Sequence, residues 1–459
     1  MTQTRTDRSA DLTSGPMLQK IILFSLPLAA SSILQLLFNA ADVVVVGRFA
    51  GSTALAAVGS NGALINLLVN LFVGLSLGAN VVAARCFGAK DDEGVRNTVQ
   101  TSVTLGLVSG FLLAVVGFFA ARVLLELMSC PEDVIGLSTL YLKIYFIGMP
   151  MTMLYNFSSA LLRAVGDTRR PLFCLAVAGL INVVLNLVFV ILFSMSVAGV
   201  ALATIISQTV SACMVTALLV KEKGPLHLDL GHLGFHAGVL GQILRIGLPA
   251  GLQSTVFSLS NVVIQSAINT LGTVAIAASS AAFNVEILAY DVLNSFSQAC
   301  TTFVGQNYGA GQIKRCKKTM QLSFLEGAIA TFVSVVVLLL SARSLLAIFN
   351  SDPEVIAIGY IRLATILPAY VFCLIYEILS GYLRGFGISL APALLTMLGV
   401  CGIRIAWVKF VFPTSMTFQT VMWVYPISLG ATALLILCAV LIYRPSRRFA
   451  DLETEEADK

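Results

Sequence analysis

A stripe of polar side chains runs along the first long apolar segment of this sequence. Spacings of four, four and three residues put its members on one helix face, and they are Ser31, Gln35, Asn39 and Asp42. Asp42 is the carboxylate of the stripe, and a carboxylate inside an apolar helix normally faces a polar interior because its charge is costly in lipid. Such a group can bind a proton or a small cation. The stripe therefore indicates reversible ion binding.

Two later segments carry polar side chains at the same depth as Asp42. Asn182 and Asn186 lie four residues apart on one face of the fifth apolar segment, and Thr204 lies in the outer half of the sixth. We predict that these four residues form one ion-coupling site. Alternatives stay open: Asp42 could be a structural partner of Arg48 or a helix-end residue near the headgroups, and Asn and Thr side chains often serve only as hydrogen bonds between helices.

The second half of the chain carries its own polar groups inside apolar segments. We predict that they line a substrate cleft together with Gln35 and Asn39, and they are Gln253, Asn261, Glu286, Asp291 and Arg404. Counting along the helices places Glu286 and Arg404 near the same depth. The two either form an ion pair that only fixes helix packing or take part in binding.

The composition places these residues in a membrane protein. Of the 459 residues, 58% are hydrophobic and 11% are charged, which would leave a soluble protein without a polar surface. A membrane-spanning helix needs about 20 mostly apolar residues. Segments of this kind occur at 20–47, 53–84, 97–121, 134–161, 171–193, 198–220, 245–268, 275–304, 318–342, 355–382, 392–412 and 420–443. We therefore predict an all-α membrane protein with twelve transmembrane helices.

The two halves of the sequence repeat one pattern. Four anchors recur 221 or 222 residues later: Leu26-Pro27 as Leu248-Pro249, Phe87-Gly88-Ala89 as Tyr308-Gly309-Ala310, Pro131-Glu132 as Pro353-Glu354, and Leu162-Arg163 with Gly166 and Pro171 as Leu383-Arg384 with Gly387 and Pro392. Each half has six segments, an even number, so the copies are parallel six-helix repeats. Pro27 and Pro249 predict hinges in the first and seventh helices, unless they are simply tolerated in the first turns.

These segments divide the chain into five parts. We predict an N-terminal tail (1–16), an N-lobe (17–220), an interlobe linker (221–244), a C-lobe (245–443) and a C-terminal tail (444–459). With both termini in the cytoplasm, 21 of the 28 Lys and Arg residues lie at cytoplasmic positions and 4 at outer helix ends, which follows the positive-inside rule. The net charge of +5 is thus a topology signal and implies no nucleic-acid partner.

Several signatures of catalysis and of ATP use are missing from the sequence. The chain has no GxxxxGK[ST] loop for nucleotide phosphates and no HExxH. His227, His232 and His236 share the linker, but no Cys or carboxylate cluster completes a metal-ligand set around them. We predict a protein that is not an enzyme, has no cofactor and no metal, and uses an ion gradient.

Several motifs resemble the multidrug and toxic compound extrusion (MATE) family. They are Asn39-Ala-Ala-Asp42, Val-Gly47-Arg48-Phe-Ala-Gly51 with Ala54-Leu55-Ala56-Ala57, Leu162-Arg163-Ala-Val-Gly166-Asp167-Thr168, and Pro249-Ala-Gly-Leu-Gln253. The resemblance spans residues 17 to 445. It implies two six-helix lobes around a V-shaped central cleft, export driven by Na⁺ or H⁺, and an ion site made of Asp42, Asn182 and Thr204. The second position of that site in the fifth helix, usually Asp in the family, is Asn186 here.

The function that these observations favour is secondary active efflux. We predict a multidrug antiporter that exports organic cations or amphipathic drugs in exchange for H⁺ or Na⁺ by alternating access, acting as a monomer in the bacterial cytoplasmic (inner) membrane. One alternative is a flippase for a lipid-linked precursor, which would need a strongly cationic cleft. Another is a polytopic membrane enzyme, which would need carboxylate or histidine clusters at a helix end.

Overall fold

The fold is helical throughout the part of the chain that the structure describes. The computed structural model describes residues 11–128 and 130–446, apart from the side chains of residues 52, 60 and 63. No strand occurs in these ranges. Residues 1–10 and 447–459, which make up most of the two predicted tails, lie outside the described residues. The predicted all-α fold class is confirmed.

The first half of the sequence forms seven helices. Their bounds are α1 Met17–Phe49, α2 Ser52–Gly88, α3 Asp92–Leu127, α4 Glu132–Ile147, α5 Met149–Ala164, α6 Arg169–Leu187 and α7 Ser196–Lys221. A bend of 48° separates α4 from α5. Pro150 stands in the first turn of α5. Backbone N–H groups in a first turn have no partner within the helix, so proline, which lacks an N–H, costs no hydrogen bond there. A π-helical turn over Val188–Leu192 extends α6.

The second half of the sequence forms eight helices. Their bounds are α8 Ala237–Asn269, α9 Thr273–Gly309, α10 Ile313–Phe349, α11 Pro353–Gly385, α12 Leu390–Thr396, α13 Ile403–Ala406, α14 Phe418–Met422 and α15 Val424–Tyr443. π-helical turns over Met397–Gly402 and Trp407–Val411 stand on either side of α13. The start of α8 lies inside the predicted linker, before the apolar segment at 245 begins.

The helices are long and apolar enough to cross a membrane. Within the described ranges, ten spans meet this condition, and the bent pair α4 and α5 makes an eleventh. The remaining predicted segment lies in α8, a 33-residue helix whose apolar run is interrupted by Arg245, Gln253 and Asn261. Large apolar side chains such as Phe332 and Leu340 are exposed on the outer faces, where lipid would contact them. Every predicted segment is therefore a helix.

The repeated motifs adopt the same backbone turn in both halves. After α5, the Gly166 N–H donates to the Arg163 carbonyl at 2.9 Å, and after α11 the Gly387 N–H donates to the Arg384 carbonyl at 2.7 Å. Both glycines have a positive φ, 91° and 70°, which other residues enter only with steric strain. One turn thus closes a helix twice, which explains why this motif recurs in the sequence.

The described residues form two compact units. The first unit is Ala30–Gly251, and the second is Asp11–Ala29 together with residues 252–446. Each boundary lies inside a helix, two residues after a repeated proline, Pro27 in α1 and Pro249 in α8. The start of each of these helices therefore belongs to the unit that is built mainly from the other half of the sequence.

Polar contacts attach the N-terminal segment to the second unit. The backbone N–H of Leu12 donates to the Gln306 amide oxygen at 3.1 Å. The Leu12 carbonyl accepts from Asn307 and from Arg315, each at 3.4 Å. One helical turn into the membrane, the Phe24 ring meets the edge of the Phe303 ring, with 5.6 Å between their centroids. Hydrogen bonds and apolar burial thus both hold this segment to the second unit.

Pairs of glycines let two helices of the first unit touch backbone to backbone. Gly74 and Gly78 on α2 face Gly247 and Gly251 at the start of α8, so each helix presents two glycines one turn apart. A methyl group at Gly78 would lie 2.4 Å from the Ile243 carbonyl oxygen, and one at Gly74 would lie 2.3 Å from the Gly251 Cα. Small residues at this spacing are a common way for membrane helices to pack closely.

Replacing Gly78 by Ala should destabilise the first unit. The new methyl group meets backbone atoms that cannot move aside like a side chain, and we expect a loss of about 1–3 kcal/mol. Thermal unfolding of the purified protein in detergent measures this. The matched control is Gly241→Ala on α8, because a methyl group at Gly241 meets nothing within 4 Å. Equal melting temperatures for the two variants would contradict the proposed close packing.

Candidate ion-coupling site

A close contact between α1 and α6 positions Asp42 inside the first unit. The Phe38 ring lies against the backbone of Gly179, where an added methyl group would be 1.7 Å from the ring. Only glycine therefore allows α1 to approach α6 this closely. Asp42 lies one turn beyond Phe38, and Asn182 lies three residues beyond Gly179, so the packing brings their side chains to the same level.

The four residues predicted for the ion-coupling site lie together in the first unit. The Asn186 amide donates to the Asp42 carboxylate, and it also donates to the Asn182 side-chain oxygen at 3.2 Å. The Thr204 hydroxyl, from α7, lies near Asp42 and donates to the Val200 carbonyl at 2.9 Å. Asp42 is 8% exposed and Asn186 is fully buried. Three helices thus place oxygen and amide groups around one buried carboxylate.

The partners of this carboxylate are neutral. Arg48 is exposed at the end of α1, and the described side chains show no ion pair between Arg48 and Asp42. The structure therefore does not support the alternative that the two residues are structural partners. The Asn186 side-chain oxygen has no hydrogen-bond partner in the described part of the chain. A buried acceptor without a donor is costly, and a bound cation or protonated group would satisfy it. The arrangement can therefore exchange a proton or a small cation.

Two tyrosines near Asp42 were not predicted from the sequence. Tyr141 and Tyr145 lie on α4, and their hydroxyls are close enough to Asp42 to interact with its charge. Their rings stack, with 6.0 Å between the centroids and 15° between the planes. The signal in the sequence was a pair of tyrosines four residues apart in an apolar helix. They add polar hydroxyls to an otherwise apolar wall.

The remaining members of the stripe on α1 do not point into this cluster. Gln35 and Asn39 are exposed, whereas Asp42 is buried. The stripe therefore crosses the edge of the unit, with its last residue inside. Pro27 and Pro249 lie half-buried within continuous helices, α1 and α8. The predicted roles of the exposed pair in a substrate cleft, and of the prolines as hinges, stay predictions.

In the second unit, Glu286 pairs with a different arginine from the one considered above. The Arg362 guanidinium on α11 donates to both carboxylate oxygens of Glu286, at 2.9 and 2.6 Å, and to the Ser279 hydroxyl at 2.6 Å. Both charged side chains are at most 6% exposed. The Glu286–Arg404 pair is therefore corrected to Glu286–Arg362. Depth counting placed Arg404 near the level of Glu286 and could not tell which helix face the arginine occupies.

Arg404 is buried among neutral groups. It donates to the Asn261 side-chain oxygen at 2.8 Å and to the Ser428 hydroxyl at 3.5 Å. Its guanidinium also lies 4.5 Å from the centre of the Tyr425 ring and 5.1 Å from that of Phe257. Arg404 stands in α13 between the two π-helical turns, a kind of local geometry found often at functional sites.

Two further predicted residues of the second unit have different surroundings. Gln253, on α8, accepts a hydrogen bond from Arg384 at 3.0 Å and is buried. Asp291, on α9, is half-buried and forms no ion pair with a described side chain. Glu377 was not among the predicted site residues, and it is buried beside Ser297, Tyr290 and Tyr376. The second unit thus holds acidic groups in three distinct environments.

Comparison with known proteins assigns the chain to a family. The MatE family model matches residues 27–188 and again residues 249–408, once in each half. The probable multidrug resistance protein YoeA of Bacillus subtilis is 29% identical over 423 residues, covering 90% of this chain and 91% of that protein. YpnP, a probable multidrug resistance protein of the same organism, is 28% identical over 443 residues, covering 95% and 96%.

A solved structure shows the same fold. A MATE protein crystallised in complex with MaL6 superposes with a TM-score of 0.88, at 22% identity, covering 99% of this chain and all of that one. The family model covers most of the sequence, and its two matches coincide with the two repeats. The chain therefore belongs to the MatE family, the multidrug and toxic compound extrusion transporters of the membrane.

Proposed function

We propose that the protein is a secondary active antiporter that exports organic cations or amphipathic drugs in exchange for H⁺ or Na⁺. The relatives YoeA and YpnP are probable multidrug resistance proteins, which supports the substrate class. The sequence has no nucleotide-binding loop, which supports an ion gradient as the energy source. Coupling requires that ion and drug stabilise opposite states of an alternating-access cycle or exclude each other.

The observation that carries this proposal is the buried Asp42 carboxylate with only neutral hydrogen-bond partners. A charge in this position is costly, and a proton or Na⁺ would neutralise it. Asn182, Asn186 and Thr204 supply oxygen atoms that a hard cation such as Na⁺ prefers as ligands. The same carboxylate can instead take a proton and become neutral. The geometry therefore supports exchange of either ion at Asp42.

The positive-inside pattern supports a bacterial inner-membrane protein with both termini in the cytoplasm. In this orientation α1 rises from the cytoplasm, and Asp42 lies in the outer half of the membrane. An ion would then reach Asp42 from outside when the drug leaves. We propose that the protein acts as a monomer, since a single chain contains both units.

Glu286 is less suited to coupling than Asp42. Its two carboxylate oxygens are both held by the Arg362 guanidinium, so neither is free to take a proton or a cation. Buried ion pairs of this kind are expensive to break, because the partner is left as an unpaired charge. We propose that this pair holds α9 against α11 and that it takes no part in ion exchange.

Replacing Asp42 by Asn should abolish gradient-driven efflux while the protein still folds. Asparagine keeps the size and one oxygen of the side chain but cannot take up and release a proton or offer a negative charge to Na⁺. Ethidium uptake into everted vesicles, which corresponds to export from the cell, is measured under separately imposed Na⁺ and pH gradients and identifies the ion. The control is Asp92→Asn, an exposed residue in the first turn of α3. Unimpaired efflux by the Asp42 variant would refute the assigned role.

Breaking the ion pair should affect stability more than ion dependence. We expect Glu286→Gln to lower stability by about 3–5 kcal/mol, because Arg362 is left buried and unpaired. The double variant Glu286→Leu with Arg362→Met should recover most of the loss, since apolar replacements of a buried pair are often neutral. Thermal unfolding and efflux under each gradient are measured together. A stable double variant with altered ion dependence would show that Glu286 shares the coupling.

A further inference from the structure

One face of α10 carries polar side chains that the predicted cleft and the Asp42 site do not include. Cys316, Thr319, Ser323 and Glu326 follow one another at spacings of three, four and three residues, which places them on a single helix face. All four are buried, and Glu326 is 6% exposed. This face packs against α9 and α11 within the second unit. A polar stripe therefore runs through a buried helix contact.

Glu326 differs from the other buried carboxylates because the protein provides it with no partner. Neither carboxylate oxygen accepts a hydrogen bond from any described residue, and no described Lys or Arg lies within ion-pair distance. Glu286 has Arg362, and Glu377 has Ser297 and two tyrosines. The Thr319 hydroxyl below Glu326 also lacks a partner in the described part of the chain. An ionised carboxylate is too costly to bury in this way.

No ionisable side chain described on the helices packed against α10 forms a hydrogen bond or an ion pair with Glu326. Gly327, the next residue, faces Leu374 on α11 and Phe296 on α9. The ionisable side chains on the two packed helices are Glu286, Tyr290, Asp291, Cys300 and Tyr308 on α9, and Glu354, Tyr360, Arg362, Tyr370, Cys373, Tyr376, Glu377, Tyr382 and Arg384 on α11. None of them forms a hydrogen bond or an ion pair with Glu326.

We propose that Glu326 is a proton-binding site of the second unit, separate from the site at Asp42. A proton converts the carboxylate into a neutral group that can be buried without a counter-charge, and it needs no further ligand. Na⁺ would need several oxygen atoms around it, whereas on α10 the stripe offers one hydroxyl within a helical turn of Glu326, that of Ser323. The groups near Glu326 therefore favour binding of a proton over binding of Na⁺.

The polar stripe on α10 defines the route by which a proton would reach and leave Glu326. Glu326 lies thirteen residues after Ile313, about 20 Å along the helix axis. Thr319 and Ser323 stand between it and the end of α10 that carries Lys314, Lys317 and Lys318. Ser323 lies near the Cys300 thiol, and the Cys316 thiol donates to the Val304 carbonyl. A proton from water at the lysine-rich end would be carried past these groups, bind a carboxylate oxygen and return by the same path.

This inference goes beyond the proposed function and does not depend on it. With the shift of 221 between the repeats, Glu326 corresponds to Leu105, so the first unit has no equivalent group. A proton-binding Glu326 would exist even if Asp42 had no part in coupling. Its test is therefore a measurement of protonation that needs no transport assay.

The experiment labels the unmodified protein with an apolar carbodiimide and maps the labelled peptides by mass spectrometry over a pH series. The reagent adds to a carboxylic acid, taking its proton on nitrogen and its oxygen on carbon, and it enters from lipid beside the exposed Phe324 and Leu325. We expect Glu326 to be labelled at neutral pH, with the label falling about tenfold per pH unit once the group loses its proton. Glu286, whose two carboxylate oxygens both accept hydrogen bonds from Arg362, serves as the internal control and should remain unlabelled.

A second measurement uses the conservative variant Glu326→Gln in lipid nanodiscs. The infrared band of protonated carboxyl groups should lose one pH-sensitive component in this variant but not in Glu93→Gln, an exposed control on α3. Three results would overturn the proposal: labelling of Glu326 no greater than that of Glu286, an unchanged infrared band in the variant, or loss of label on adding NaCl at constant pH. The last result would identify the ligand as Na⁺. If the variant does not fold, the labelling of the unmodified protein still decides.

Discussion

The constraint on which the structure depends is that a charge inside a membrane protein must be neutralised by something within reach. Hydrocarbon offers no water, so each buried carboxylate needs a counter-charge, a set of hydrogen bonds or a proton. Glu286 has a counter-charge, the guanidinium of Arg362. Asp42 has hydrogen bonds from neutral side chains, which leave its charge available to a mobile ion. Glu326 has neither. The three groups thus differ in the partners that the protein gives them, from a guanidinium at Glu286 to none at Glu326.

The two repeats share a backbone but not their chemistry. The turns closed by Gly166 and Gly387 are the same turn, because a positive φ is a property of the main chain that any copy must keep. The side chains in the interior are under no such requirement. With the shift of 222 between the repeats, Asp42 corresponds to Ile264, which is 1% exposed and packed in the apolar core of the second unit. Duplication therefore preserved the helical framework while each copy acquired its own polar interior.

The helices could be predicted because a membrane span needs only length and apolar composition, and all twelve predicted segments are helical. Helical spacing and depth also sufficed to bring Asp42 together with Asn186 on α6. The same reasoning failed for Glu286, because depth does not show which face of α11 or α13 an arginine occupies, and the π-helical turns beside Arg404 rotate that face. It also missed Tyr141, Tyr145 and Glu326, whose significance depends on what the packed neighbours supply or withhold. Partnership between side chains is a tertiary property, which one sequence does not record.

The exchange of helix starts between the two units has a consequence for how the chain assembles. The second unit includes Asp11–Ala29, which is synthesised first, while nearly all of its other helices emerge last. Leu12 can form its hydrogen bonds to Gln306 and Asn307 only after α9 exists, so this segment remains without these contacts until the second half of the chain is made. The first unit, likewise, waits for the start of α8. Neither unit can be completed by its own half of the chain. A gene cut between α7 and α8 would yield two fragments, and these must associate in the bilayer before either unit has all of its helices.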